Sequence, residues 1–178
     1  MLAQDQGGDV YKALVTDLQI SSQSIETQMY IGSTKWPDWG GADGVTIWYK
    51  DSNNWIDVIV YPWAGAINVT QLIDGVATTA TYSPQLYGNH IWYDLRVNAD
   101  AATGEVSVYI DNTYLFTYEA STPYRTGLSG VNSHNAGGYF DNFSLTSNDI
   151  ASAPEPATML LLGLGLIGLA GIRRKMQK

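Results

Sequence analysis

The sequence has no cysteine, which excludes a disulfide framework, a thiolate metal site and a cysteine nucleophile. Histidine is nearly absent too, with only His90 and His134, and there are just four glutamates, at 26, 105, 119 and 155. Two separated histidines without cysteine do not make a zinc site, and each reads as a solvated loop residue. No Gly-x-Ser-x-Gly elbow is present for Ser-His-Asp chemistry. The glycine runs lack the lysine or the following helix that a phosphate loop needs. Positive charge is scarce as well: nine Lys and Arg stand against 17 Asp and Glu. Four of the nine, Arg173, Arg174, Lys175 and Lys178, fall in the last six positions, so residues 1–153 carry five basic and sixteen acidic side chains, a net of −11. Such a surface repels phosphate backbones, and a nucleic-acid partner is excluded on that ground.

What is present fits one folded domain. The chain has 178 residues, 45% hydrophobic and 12% aromatic with only 15% charged, enough for one sizeable core and too apolar for disorder. Period-2 alternation dominates residues 9–147, and no helical period survives across ten residues. The runs are 10–18, 24–31, 45–49, 55–61, 66–73, 77–82, 91–97, 105–110, 114–118, 128–131 and 139–146. In the clearest, Ile91, Tyr93, Leu95 and Val97 are expected to face a core while Trp92, Asp94 and Arg96 face away. Asp111-Asn112-Thr113 then joins 105–110 to 114–118 as a hairpin. About eleven short strands with Gly, Asn, Asp and Pro between them predict an all-β fold, an antiparallel β-sandwich of jelly-roll type.

The C-terminal end has a different character. After ASAPEP comes a 16-residue uncharged stretch, ATMLLLGLGLIGLAGI at 157–172, and then RRKMQK. As an α-helix it would span about 24 Å, slightly short of the ~20 residues of a comfortable membrane crossing. It is apolar all round, which argues against a buried amphipathic helix. The cluster Arg173, Arg174 and Lys175 would stay cytoplasmic and act as a membrane stop. A tail anchor is one reading. Pro154-Glu155-Pro156, a short Gly/Leu-rich helix and an Arg-rich end in that order also resemble the PEP-CTERM sorting signal of Gram-negative bacteria. That resemblance implies export and recognition of Pro154, Glu155 and Pro156 by an exosortase, a membrane-embedded cysteine transpeptidase that removes the helix. It further implies a passage through the inner membrane to the cell surface or extracellular matrix, and ties to exopolysaccharide and biofilm. A secretory leader should accompany such a tail, yet MLAQDQGGDVYKALV has neither a basic start nor an apolar run, so the sequence is expected to lack its natural N-terminus.

A second resemblance rests on GGADGVTIWYKDSNNWIDVIV, HIWYDLRVNADAATGEVSVYIDNTYLFTYE and GLSGVNSHNAGGYFDNFSL. Their order is similar to that of laminin-G-like members of the concanavalin-A-like lectin and glucanase jelly rolls. It implies such a sandwich over 1–147, short of an N-terminal strand, then a linker at 148–153 and the sorting signal with its single membrane helix at 154–178. Glucanases of this fold carry Glu-x-Asp-x-(x)-Glu, which puts the acids on one strand face. Here no two glutamates lie closer than fourteen positions, so no catalytic residue is assigned.

Binding chemistry has better candidates. Trp36, Trp39 and Trp63 fall in turn-like segments, TKWPDWGGADG and YPWAGA, where indole can stack on the C–H faces of sugars while carboxylates and amides take up hydroxyls. GADGVTIW also resembles the Ala-Asp-Gly loop of L-type lectins, and by that resemblance Asp43 would anchor the sugar. The other reading is that these tryptophans cover the ends of the core. Asp141 shares an alternation face with Tyr139, Phe143 and Leu145, which would place a carboxylate inward. Local backbone N–H donors are one way to satisfy it, and Ca²⁺ with oxygen ligands is the other. The expectation is a non-enzymatic, exported, exosortase-processed matrix protein whose sandwich binds polysaccharide. A structural or adhesive matrix protein and a divergent glycan hydrolase are its rivals.

Overall fold

The computed structural model describes residues 2–7, 10–30, 42–83, 91–134 and 139–148. Within them are twelve strands: β1 (Leu2–Gly7), β2 (Val10–Ile20), β3 (Gln23–Tyr30), β4 (Ala42–Asp51), β5 (Asn54–Tyr61), β6 (Ala66–Ile73), β7 (Val76–Tyr82), β8 (Trp92–Ala99), β9 (Glu105–Ile110), β10 (Thr113–Glu119), β11 (Gly127–His134) and β12 (Tyr139–Ser147). A seven-stranded sheet runs β1-β2-β11-β4-β5-β6-β7 and a five-stranded sheet runs β10-β9-β8-β3-β12. Every pairing is antiparallel. The all-β sandwich expected from alternation is what forms, and each of the eleven expected runs overlaps one of β2 to β12. The expected membrane helix at 157–172 lies outside the described residues.

The core lies between the sheets. Val45, Ile47, Ile56, Val58, Val60, Ile67 and Val69 from the larger sheet meet Ile25, Met29, Leu95, Val97, Val106, Val108 and Ile110 from the smaller one. Removing such side chains from water is the main stabilising term of a sandwich. Tyr82 on β7 stacks on Phe116 on β10 at 3.6 Å between ring centroids, which ties the far edges of the two sheets together. Trp48 is buried at a register shift in β4, with φ at 49°, and its indole Nε1 donates to Ser21 O at 2.6 Å.

Three expectations need correction. β1, which alternation left unread, pairs with β2 over six residues from Leu2↔Val15 to Gly7↔Val10. Ile91, expected in the core, precedes β8 and is half exposed, while Tyr93, Leu95 and Val97 are buried as expected. Asp141 is exposed rather than inward. The register of β12 shifts between Asp141 and Ser144 at a bulge where Asn142 takes φ of 51°. One residue of slip reverses which face a side chain occupies. Phe143 and Leu145 therefore pack against the core while Tyr139 and Asp141 point outward.

Strand order brings one set of ends together. β3 ends at Tyr30, β5 at Tyr61, β7 at Tyr82 and β11 at His134, while β4, β8 and β12 begin at Ala42, Trp92 and Tyr139. The segments that join β3 to β4, β7 to β8 and β11 to β12 all start and finish at this end.

Candidate functional site

Asp43 lies in the first cross-strand rows of β4 at this end, paired with Ser133 on β11 and Val60 on β5. Directly opposed residues of an antiparallel pair share a face, and two residues on, Val45 is part of the core. The Asp43 side chain is therefore inward, and the residue is wholly buried. Neither carboxylate oxygen closes a full hydrogen bond. Burial pushes its pKa up to about 6, with the Ser133 side chain pulling weakly the other way. An unsatisfied carboxyl in such a place costs free energy.

Trp36 and Trp39 fall in the segment between β3 and β4, outside the described residues. Trp63 belongs to the short 3-10 turn Pro62–Ala64 that follows β5, and its side chain also lies outside the description. The sorting residues Pro154, Glu155, Pro156, Arg173, Arg174 and Lys175 are likewise outside it. Asp141 accepts a hydrogen bond from its neighbour's backbone, Asn142 N to Asp141 Oδ1 at 2.8 Å. A carboxylate in water with a local donor does not call for a cation. No group of three or more His, Cys, Asp or Glu side chains suited to a metal is found among the described residues.

Sequence reasoning missed a second feature, a buried polar network on the face of the larger sheet turned away from the core. Lys12 Nζ on β2 donates to both carboxylate oxygens of Asp57 on β5, each at 2.8 Å. Thr46 Oγ1 donates to Asp57 Oδ1 at 2.6 Å, and Asn132 Nδ2 donates to Thr46 Oγ1 at 3.0 Å. The ammonium also sits over the Trp55 ring, 3.7 Å from its centroid, a cation–π contact. Two strands, β11 and β4, separate the partners, with Gly130 and Gly44 among the positions on this face. A Cβ at either glycine would run into the backbone of the next strand, Ala13 O for Gly130 and Val58 O for Gly44.

At one margin of this network Tyr61 and His134 meet edge to face, 6.4 Å between centroids. Burial raises the Tyr61 pKa, with a smaller push from the Asp57 charge. Burial lowers that of His134, while Asp57 and Lys12 act in opposite senses. The network leaves one acceptor open, because Asn132 Oδ1 is buried without a hydrogen-bond partner. Both oxygens of Asp57 are taken up by Lys12, one of them also by Thr46, so it is not a free base.

Known proteins set this geometry in context. The description "PEP-CTERM protein-sorting motif" matches residues 152–175. A search of curated protein sequences finds no match to the chain. Among solved structures, the carbohydrate binding module CBM66 from Bacillus subtilis is similar with a TM-score of 0.67 at 19% identity, covering 83% of this chain and 91% of that one. Sheep galectin-11 gives a TM-score of 0.58 at 9% identity over 79% of this chain and all of its own. A sialidase gives 0.52 at 12% identity over 82% of this chain but only 15% of that much longer one. At these identities the likeness shows the fold alone. The chain thus joins a β-sandwich of the kind seen in carbohydrate-binding modules and galectins to a PEP-CTERM sorting motif at its C-terminal end, and that motif implies exosortase-dependent export.

Proposed function

We propose that this is a non-enzymatic protein of the cell surface or extracellular matrix, whose sandwich binds polysaccharide. In this reading its tail is held in the inner membrane until an exosortase acts at Pro154-Glu155-Pro156. The observation that supports binding is the Asp43 carboxyl, buried without a completed hydrogen bond at the end of the sandwich. A sugar hydroxyl is a neutral donor that satisfies such a group without bringing a charge into the site. Trp36 and Trp39 in the segment entering β4, and Trp63 after β5, supply the stacking surfaces. Sandwich neighbours named as a carbohydrate binding module and a galectin are consistent with this use of the fold. The locked state of Asp57 and the absence of the Glu-x-Asp-x-(x)-Glu signature argue against the hydrolase.

The test is tryptophan fluorescence of the full chain in detergent micelles, titrated with soluble matrix polysaccharides and their oligosaccharides, in calcium and again in chelator. Saturable quenching that drops at least tenfold in affinity in Asp43→Ala and in Trp36→Ala/Trp39→Ala is the expected result. Binding that ignores both variants removes the loop-end site. No binding by a folded sample moves the assignment to a structural matrix protein, and release of reducing ends would establish the enzyme instead.

A further inference from the structure

The outward face of the smaller sheet carries a row of aromatic rings that alternation on single strands does not bring together. Tyr139 on β12 pairs with Tyr30 on β3, and Tyr30 pairs with Trp92 on β8. Ring centroids are 6.0 Å apart for Tyr30 and Tyr139 and 5.5 Å for Tyr30 and Trp92. Trp92 is 47% exposed and Tyr139 67% exposed. Rings of this size left in water on adjacent strands, at the same register, mark a contact surface rather than a core.

The next row on the same face is polar and already fixed. Gln28 Nε2 donates to Asp94 Oδ1 at 3.0 Å, and Asn142 Nδ2 donates to Gln28 Oε1 at 2.7 Å. Asp141 and Asp94 flank Gln28 in register. A hollow of about 230 Å³ opens here, lined by Glu26, Gln28, Asp94, Arg96, Asn112 and Asn142. Amide and carboxylate groups held in place beside stacked rings suit a ligand with apolar ring faces and hydroxylated edges. Charge narrows the class. Glu26, Asp94 and Asp141 share the face, and its one cation among the described residues, Arg96, lies 4.0 Å from Glu26 and over the Tyr109 ring. Among the described residues three carboxylates stand against this single arginine, a balance that disfavours an anionic polymer.

We infer that the Tyr139–Tyr30–Trp92 row and the adjoining Gln28–Asp94–Asn142 ladder form a binding surface for a neutral, extended hexopyranose chain. This surface is separate from the loop-end site anchored on Asp43, because its rings and amides stand on the other sheet and face away from the core. Aromatic side chains, tryptophan above all, dominate the energetics of such surfaces.

Isothermal titration of the full chain in detergent with cellohexaose, chitohexaose, laminarihexaose and mannohexaose, and with hexagalacturonate as the anionic counterpart, tests it. At least one neutral hexaose should bind. Its affinity should fall at least tenfold in Trp92→Ala and in Tyr139→Ala, and remain within threefold in Val76→Ala, an exposed position on β7 of the larger sheet. The substituted rings are exposed, so thermal unfolding should stay at the parent value and certify the fold. Three results overturn the inference: no neutral hexaose binds, binding survives Trp92→Ala/Tyr139→Ala, or hexagalacturonate alone binds. Sedimentation velocity adds a fourth, because concentration-dependent dimerisation abolished by Trp92→Ala would make the row a contact between copies of this chain.

Discussion

Asp43 and Asp57 lie one strand apart and have opposite situations. Asp57 is held by Lys12 and Thr46, so its burial is compensated within the fold. Asp43 is buried with its hydrogen-bonding capacity unfilled, and its carboxyl titrates at about 6 rather than near 3.8. The native state therefore holds, between those two values, a proton that the unfolded chain gives up. Stability must fall as pH rises through that window, and the loss is complete above about 6. A displacement of that size corresponds to about 3 kcal/mol at neutral pH. Asp43→Asn, which keeps the shape and removes the charge, should raise urea-unfolding stability at pH 7 by about 1–3 kcal/mol and change it little at pH 4. A gain independent of pH, or a loss at pH 7, would show that Asp43 is satisfied in the fold. The same variant should not bind sugar better, because the stability cost and the proposed anchoring reside in one carboxylate.

At the level of elements, the two-residue turns set how the strands pair. Asp111 and Asn112 both take positive φ, 50° and 62°, between Ile110 and its partner Thr113, as a type I′ hairpin requires. The Asp111 carboxylate also accepts a hydrogen bond from Asp94 N at 3.0 Å, so this turn is fastened to β8. Asn112→Val forces a β-branched residue into the left-handed region and should cost about 1–2 kcal/mol in thermal unfolding. Asn112→Gly should stay near the parent value, and equal stability of the two variants would refute the turn assignment. This hairpin was legible in the sequence because turn chemistry and alternation agreed there. Strand β1 was not, since LAQDQG has no apolar alternation and is a strand only because β2 offers it an edge. The outward placement of Asp141 was hidden by the bulge at Asn142, which reverses a parity that local pattern takes as fixed. Lys12 and Asp57 lie 45 residues apart, and alternation marks Asp57 only as facing away from Ile56 and Val58. It gives no sign that this face is buried. The aromatic row escaped for a related reason: Tyr30, Trp92 and Tyr139 become neighbours only once β3 is placed between β8 and β12.

For the whole molecule the decisive feature is its division between an acidic sandwich and a short cationic end. Residues 1–153 carry a net of −11, whereas Arg173, Arg174, Lys175 and Lys178 lie just beyond an uncharged stretch. Lys and Arg beside an apolar segment hold that end on the cytoplasmic side, so the sandwich would be the part carried across. With 16 residues the apolar stretch is short for a lasting anchor, which suits a segment that is retained only until cleavage. In the proposed function, separation of the sandwich from the membrane depends on Pro154-Glu155-Pro156. Placed behind a secretory leader in an exosortase-bearing Gram-negative host, the parent chain should lose the mass of its tail and leave the membrane fraction. The triple variant Pro154→Ala/Glu155→Ala/Pro156→Ala should keep its full mass and sediment with the membranes. Mass spectrometry of the two fractions reads both outcomes. A host without exosortase should make the parent behave like the variant, which separates loss of recognition from misfolding. Equal release of parent and variant in the exosortase-bearing host would mean that these three residues are not the processing signal, leaving the apolar stretch as an ordinary anchor.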